Sequence, residues 1–208
     1  MRKDQRSMKT QYTVKCFSSA KEIDFNKVPR AELSNFKWLS GYEPEAYGQL
    51  VLVPGDAFYV KMAAKEANPL ARHTGKNVPV CLDSALEFFV SFDNTSLKYL
   101  NIETNANAAV LAQIGMKRGE RDDVSDMFDA EMVREGDFWC IYTKVTMDQI
   151  TELFGISADV FKSGYKFCAN FYKCGDETDA PHYGMWNPVE TEIPDYHRPE
   201  HFGEMTIE

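Results

Sequence analysis

Apolar and polar residues alternate with period two along much of the chain, and each such run predicts a half-buried strand. Asp56–Lys65 places Phe58, Val60, Met62 and Ala64 on one face. In Ser84–Phe92 the apolar face holds Leu86, Phe88, Val90 and Phe92, while Glu87 and Phe89 fall on the other. Turn chemistry at Asp93 and Asn94 leads into Leu97–Asn105, so these two runs read as a hairpin. Ala109–Gly115 continues the meander, and Phe138–Thr146, Tyr165–Lys173 and Glu204–Ile207 add further β-rich runs.

Helical period is confined to one place. Thr146 and Gln149 form a capping box, Met147, Ile150, Leu153 and Phe154 repeat at helical spacing, and Gly155 ends the run. Ser19 and Glu22 carry the same signature and predict one more helical turn within Ser19–Phe25. No linker rich in Gly, Ser or Pro divides the chain, and no internal repeat is visible. The pattern therefore predicts an all-β fold, an antiparallel β-sandwich with one or two short helices. A single domain is expected overall, with an N-terminal extension and first strand (residues 1–30) packed on a sandwich of residues 31–208. The charged stretch Lys117–Asp137 is expected as a long loop on the rim.

Composition narrows the function classes. Of 208 residues 44% are apolar and 26% charged, which excludes a disordered chain, a collagen-like fibre and a coiled coil. Lys and Arg number 23 against 32 Asp and Glu, a net charge of −9 that repels phosphate backbones, so no nucleic-acid partner is expected. No run approaches a membrane span, and no membrane partner is expected. No secretory signal follows the N-terminal Met-Arg-Lys-Asp, so a cytoplasmic protein is expected from the chain as given, or an extracellular or periplasmic one if a signal peptide was removed. The five cysteines are scattered, and no two are separated by only two residues, so they read as reduced thiols rather than a disulfide framework or a zinc site. Aromatics reach 13%, the first hint of a stacking surface.

None of the common catalytic motifs is present. His197 and His201 have the spacing of metal ligands on a helix, but Pro194 and Pro199 argue against a helix there. With 32 acids, a carboxylate pair of the glycosidase kind stays open, and with it a glycan hydrolase. Asp122, Asp123, Asp126 and Asp129 form either a solvated acidic loop or oxygen ligands for calcium, although not in EF-hand order. The tail is richer: Asn170–Asp176, Pro181–Pro188 and Pro194–Gly203 combine aromatics, hydrogen-bonding side chains and stiff turns. Trp186, bounded by Pro181 and Pro188, either offers a flat face to a pyranose ring or plugs the sandwich end. Lys173 and Asp176 read as solvated turn residues, and Trp139 as core. Asn101, Glu103 and Asn105 share one strand face, either a solvated stripe or the floor of a groove.

The motifs Asp83–Val90, Tyr99–Asn105 and Asn170–Asp176, with Trp186-Asn-Pro188 and Phe202–Met205, resemble those of family nine carbohydrate-binding modules. The resemblance runs from about Trp38 to the C-terminus and is most specific in the tail. It implies a β-sandwich with a sugar site at one end, no catalysis, no required cofactor, and structural calcium in some members. The implied partner is an oligosaccharide or polysaccharide, in support of polysaccharide breakdown. Carried over residue by residue, Glu87 resembles the acid that binds sugar hydroxyls, Trp186 the C-terminal stacking tryptophan, Tyr183 a polar contact, and Asn170 an amide from the preceding strand. Tyr172, Glu103, Asn105 and Arg72 complete the candidate ligand-binding set. Glu87 has a competing reading as a buried acid paired with Arg72. The family's second tryptophan has no counterpart in Asn77–Leu82, which leaves Trp38, Tyr42 or Tyr59 to form the other wall. Its site arginine has candidates by type only, in Arg72, Arg118 and Arg121. A third reading follows from the missing tryptophan: a sandwich with a degenerate pocket, serving protein–protein contact.

Overall fold

The computed structural model describes residues 9–38, 41–93 and 95–208; Asn94 of the expected turn and the first eight residues of the expected N-terminal extension lie outside them. The strands are β1 Gln11–Cys16, β2 Ala31–Glu32, β3 Asn35–Phe36, β4 Ala46–Val53, β5 Ala57–Ala64, β6 Ala85–Ser91 and β7 Tyr99–Asn105. They continue as β8 Val110–Lys117, β9 Glu120–Asp123, β10 Ala130–Glu135, β11 Phe138–Thr146, β12 Lys166–Cys174, β13 Tyr183–Met185 and β14 Gly203–Ile207. One layer of the sandwich runs β10-β11-β5-β4, with β2 beside β4, and the other runs β14-β12-β6-β7-β8-β9. β14 pairs with the first half of β12 and β13 with its second half, and β3 extends β13. The pairing is antiparallel except at β1, which lies parallel to β14 through Gln11–Val14 and parallel to β4 through Lys15 and Cys16. This strand ties the two layers together.

The predicted alternation holds in space. Phe58, Val60, Met62 and Ala64 of β5 meet Leu86, Phe88 and Val90 of β6 in one continuous core. Phe58, Phe92, Phe161 and Phe167 form its aromatic centre, with ring centroids 5.0–5.6 Å apart. Each such ring removed from water contributes about 1.5–3 kcal/mol. The only α-helix among the described residues, α1 Met147–Phe154, is capped as expected: Thr146 accepts from the Gln149 N–H, the Gln149 side chain accepts from the Thr146 N–H, and Gly155 sits at φ 70°. The helical turn expected within Ser19–Phe25 is the 3-10 turn Ala20–Glu22, and a second 3-10 turn, Phe25–Lys27, follows it.

Two expectations fail. Lys117–Asp137 is not a loop: β9 and β10 are edge strands within it, and most of their charged side chains face solvent, Arg121 of β9 turning inward instead. Lys173 is not solvated. It lies inward on β12, fully buried, with Nζ 3.3 Å from Glu66 Oε2 and 2.7 Å from His182 Nε2. Glu66 also accepts from Ser84 Oγ at 3.1 Å and from Trp139 Nε1 at 3.0 Å, so the network bridges both layers. Burial lowers the Lys173 ammonium, and burial with the neighbouring Lys173 charge lowers His182 to about 4.

Candidate functional site

The outer face of the β12-β6-β7 layer carries the side chains that alternate away from the core: Glu87 and Phe89 on β6, Tyr99, Asn101 and Glu103 on β7, Tyr172 and Cys174 on β12. The segment between β13 and β14 crosses this face and seals most of it. Tyr196 stacks on Tyr172 at 4.0 Å and 15°, and its hydroxyl donates to the carbonyls of Lys173 and Gly184. His197 lies on Phe89, with centroids 5.0 Å apart. What this strap leaves open is a pocket of about 260 Å³, lined by Cys81, Glu87, Glu103, Arg118, Cys174, Asp176, Tyr183, Pro194, Asp195, Tyr196 and His197.

Two carboxyls form its floor. Glu87 and Glu103 are directly opposed across β6 and β7, which puts their Cβ atoms roughly 5 Å apart. They are only 3% and 4% exposed. Cys174 Sγ donates to Glu87 at 2.9 Å, and Asn101 Nδ2 donates to Glu103 at 2.9 Å. Neither carboxyl has an ion-pair partner among the described residues. Burial, then the neighbouring Glu103, pushes Glu87 well above the usual carboxylate range, while burial lifts Glu103 to about 7 against the opposing pull of Arg121. At neutral pH the floor thus holds protons and can donate as well as accept.

Two arginines and several aromatic rings stand around this floor, Arg118 and Tyr183 in the lining and Arg121 and Trp38 behind it. Arg121 Nη1 donates to Asn101 Oδ1 at 2.9 Å and to His197 Nδ1 at 3.0 Å, while its buried Nε finds no acceptor. Burial, with Arg121 and Arg118 beside it, holds His197 neutral, down to about 3. Arg118 stands at the mouth, 3.7 Å from Asp195. Tyr183, half-buried, faces the pocket with its hydroxyl on Asp176. Trp38 sits behind it, packed edge-on to Tyr183 and tilted on Tyr196, both at 5.9 Å, with its indole N–H donating to the Thr191 carbonyl. Trp38 adopts φ 74°, a backbone strain of the order of 1–3 kcal/mol that the surrounding packing sustains.

Of the eight candidate ligand-binding residues, Glu87, Glu103 and Tyr183 meet in this pocket and five do not. Trp186 is turned inward, 6% exposed, edge-on to Tyr12 at 6.1 Å and part of the main core. Gly203 makes this possible, because a Cβ there would lie 2.3 Å from the Trp186 ring. Asn170 is fully buried: its Nδ2 donates to the Asn187 carbonyl and its Oδ1 accepts from the Asn187 and Phe171 N–H groups, so it fixes the tail rather than meeting solvent. Tyr172 is covered by Tyr196. Asn105 is buried, with its Nδ2 donating to Asp83 and to the His73 carbonyl. Arg72 pairs with Asp83 at 3.1 Å and Glu177 at 2.8 Å, so the acid it neutralises is Asp83, not Glu87. Although burial raises Asp83, hydrogen bonds from His73, Asn105 and Arg72 hold it near 2.

The stripe of Asn101, Glu103 and Asn105 is wholly buried and therefore not a solvated face. Sequence reasoning missed Cys81, Cys174, Asp176, Asp195, Tyr196 and His197 as lining groups. The parity of Cys174 with Asn170 and Tyr172 on β12 was the available signal for that thiol. The strap residues carry no periodicity and offered none. Glu87 and Glu103 rise from the same floor, so they do not flank a scissile bond in the way a glycosidase pair must. Among the described residues no three Asp, Glu, His or Cys side chains gather to hold a metal. In the acidic stretch Asp123 accepts from Ser125 and Asp129 pairs with Lys76, so the calcium implied by the resemblance finds no fitting donor set there.

The sequence pattern of carbohydrate-binding family 9 matches residues 18–207. No curated protein matches the chain significantly. Among solved structures, a candidate carbohydrate-binding protein of Bacteroides uniformis superposes with TM-score 0.81 at 25% identity, covering 96% of this chain and 100% of its own. A family 9 carbohydrate-binding module of Caldicellulosiruptor kristjanssonii, in complex with glucose, superposes at 0.67 with 13% identity, covering 96% of both chains. A family 9 carbohydrate-binding module of the same organism, in complex with cellotriose, gives 0.65 at 12% identity, covering 96% of this chain and 94% of the other.

Proposed function

Because the chain belongs to carbohydrate-binding family 9, whose members are non-catalytic modules, we propose that it binds a sugar in the pocket floored by Glu87 and Glu103. The observation that carries this reading is a solvent-reaching cavity in which buried carboxyls, without an ion-pair partner among the described residues, stand beside tyrosine rings. A sugar presents the complementary surface: an apolar C–H face for Tyr183, and vicinal hydroxyls for groups that both donate and accept. A volume of about 260 Å³ lies just under the roughly 300–1,000 Å³ of drug-sized sites, so it takes one ring or the end of a chain rather than its middle. Binding to a chain end would hold the protein on an oligosaccharide or polysaccharide undergoing breakdown.

The aromatic contact differs from the expected one. Tyr183, backed by Trp38 and Tyr196, takes the place assigned to Trp186. One tyrosine contact adds about 0.5–1.5 kcal/mol beyond apolar burial, so affinity for a single ring should be weak, near millimolar. Titration calorimetry with glucose, xylose, galactose, cellobiose and cellotriose tests the proposal. Saturable heat that Glu87→Gln and Tyr183→Ala each weaken at least fivefold is expected. No heat with any of these sugars, or binding indifferent to both substitutions, would overturn it.

A further inference from the structure

The pocket's charge balance is unusual for a site meant for neutral hydroxyls alone. Glu87, Glu103, Asp176 and Asp195 all line it, and the one cationic side chain among the lining groups is Arg118. Arg118 is drawn to Asp195, and Arg121 behind the wall spends one nitrogen on Asn101 and His197. Lys173 points to the other side of β12, toward Glu66. Asp195 and Arg118 thus answer each other, while the directly opposed Glu87 and Glu103 have only a thiol and an amide as donors. Both are at least nine-tenths buried, and both belong to the pocket surface. Two carboxyls in this position either keep a proton or receive a cation from outside.

We propose that the preferred ligand is an amino sugar with a free, unacetylated nitrogen, whose ammonium seats between Glu87 and Glu103. This rests on the reading of the pocket as a sugar site and narrows it. An ammonium offers three donors and no acceptor, which suits two carboxyls rising from one floor. Charge-assisted hydrogen bonds are roughly twice as strong as neutral ones. Acetylation removes the charge and adds bulk in a small cavity. A uronic acid brings a carboxylate toward Asp176 and the floor, and is disfavoured. Since burial leaves the floor protonated, seating the ammonium must expel a proton to solvent.

Calorimetric titration of the intact protein with glucosamine, glucose, N-acetylglucosamine and glucuronate, in mildly acidic buffer, tests the inference. Glucosamine is expected to bind about tenfold more tightly than glucose, and the other two more weakly than glucose. Heats measured in two buffers of different ionisation enthalpy should show proton release with glucosamine and none with glucose. In Glu103→Gln the glucosamine-to-glucose affinity ratio should fall to about twofold or less, and the wild-type ligand series decides the matter even if that variant does not fold. Glucose binding with glucosamine equal or weaker would overturn the ammonium seat and leave the sugar site standing. Failure of every sugar to bind would overturn the sugar reading itself. A ratio undiminished in both Glu87→Gln and Glu103→Gln would overturn the assignment to these carboxyls.

Discussion

Trp186→Ala separates a core role from a ligand role for the residue that the tail motif makes most conspicuous. The indole is 6% exposed and lies between Tyr12, at 6.1 Å, and the bare backbone of Gly203. It is absent from the pocket lining. Truncation removes a buried bicyclic ring of nine atoms and leaves a void that Gly203 cannot fill, having no side chain to move. Core Trp→Ala changes cost about 3–5 kcal/mol, a large part of the 5–15 kcal/mol total of an ordinary domain. Urea denaturation should show an unchanged slope and a midpoint lowered by that loss divided by the slope. Trp186→Phe, which retains most of the apolar contact, should lose less and stay folded. Sugar affinity of the folded Phe variant should lie within threefold of the wild type. Loss of binding at unchanged stability would refute the inward placement and restore the indole as a stacking platform.

Two further outcomes follow from the buried charges. Lys173→Met removes the ammonium from Glu66 and should destabilise the fold by about 3–5 kcal/mol; adding Glu66→Gln should recover much of the loss, and additive losses in a double-mutant cycle would contradict the pairing. Glu103 has its folded pKa raised to about 7 from an ordinary 4.5, so the folded state holds its proton more tightly and stability falls as pH rises through that window. Glu103→Gln should therefore gain on the wild type between pH 4.5 and 7, by up to about 3 kcal/mol at 1.4 kcal/mol per pH unit; a difference that is flat or shrinks with rising pH in denaturation series would argue against an uncompensated buried acid.

Strands whose side chains alternate in character were legible in the sequence, even where both faces are covered as in β6 and β7. Phe138–Thr146 matches residue for residue, and the edges of β5, β6 and β12 shift by one. β4 escaped because Ala46–Val53 carries Gln49 as its one strongly polar side chain and so shows no alternation. β9 and β10 escaped for the opposite reason, their charges reading as loop. At the site, parity was more reliable than residue type. Counting by twos along β12 from Phe167 puts Lys173 inward, and the same count along β6 and β7 puts Glu87 and Glu103 outward on one floor. Judging Lys173 by its charge led to the solvated assignment. Trp186 was misplaced because Pro181 and Pro188 speak for a stiff segment and say nothing of which way its ring turns; that depends on Gly203, seventeen residues on. Tyr196 and His197 come from an aperiodic strap whose course only tertiary packing decides.

The most direct check is a crystal of this protein soaked with a monosaccharide at saturating concentration. The account expects the ring beside Tyr183, with hydroxyl or amino groups within about 3 Å of Glu87 and Glu103. A ring bound elsewhere on the surface, or a pocket still holding only solvent at full saturation, would contradict it.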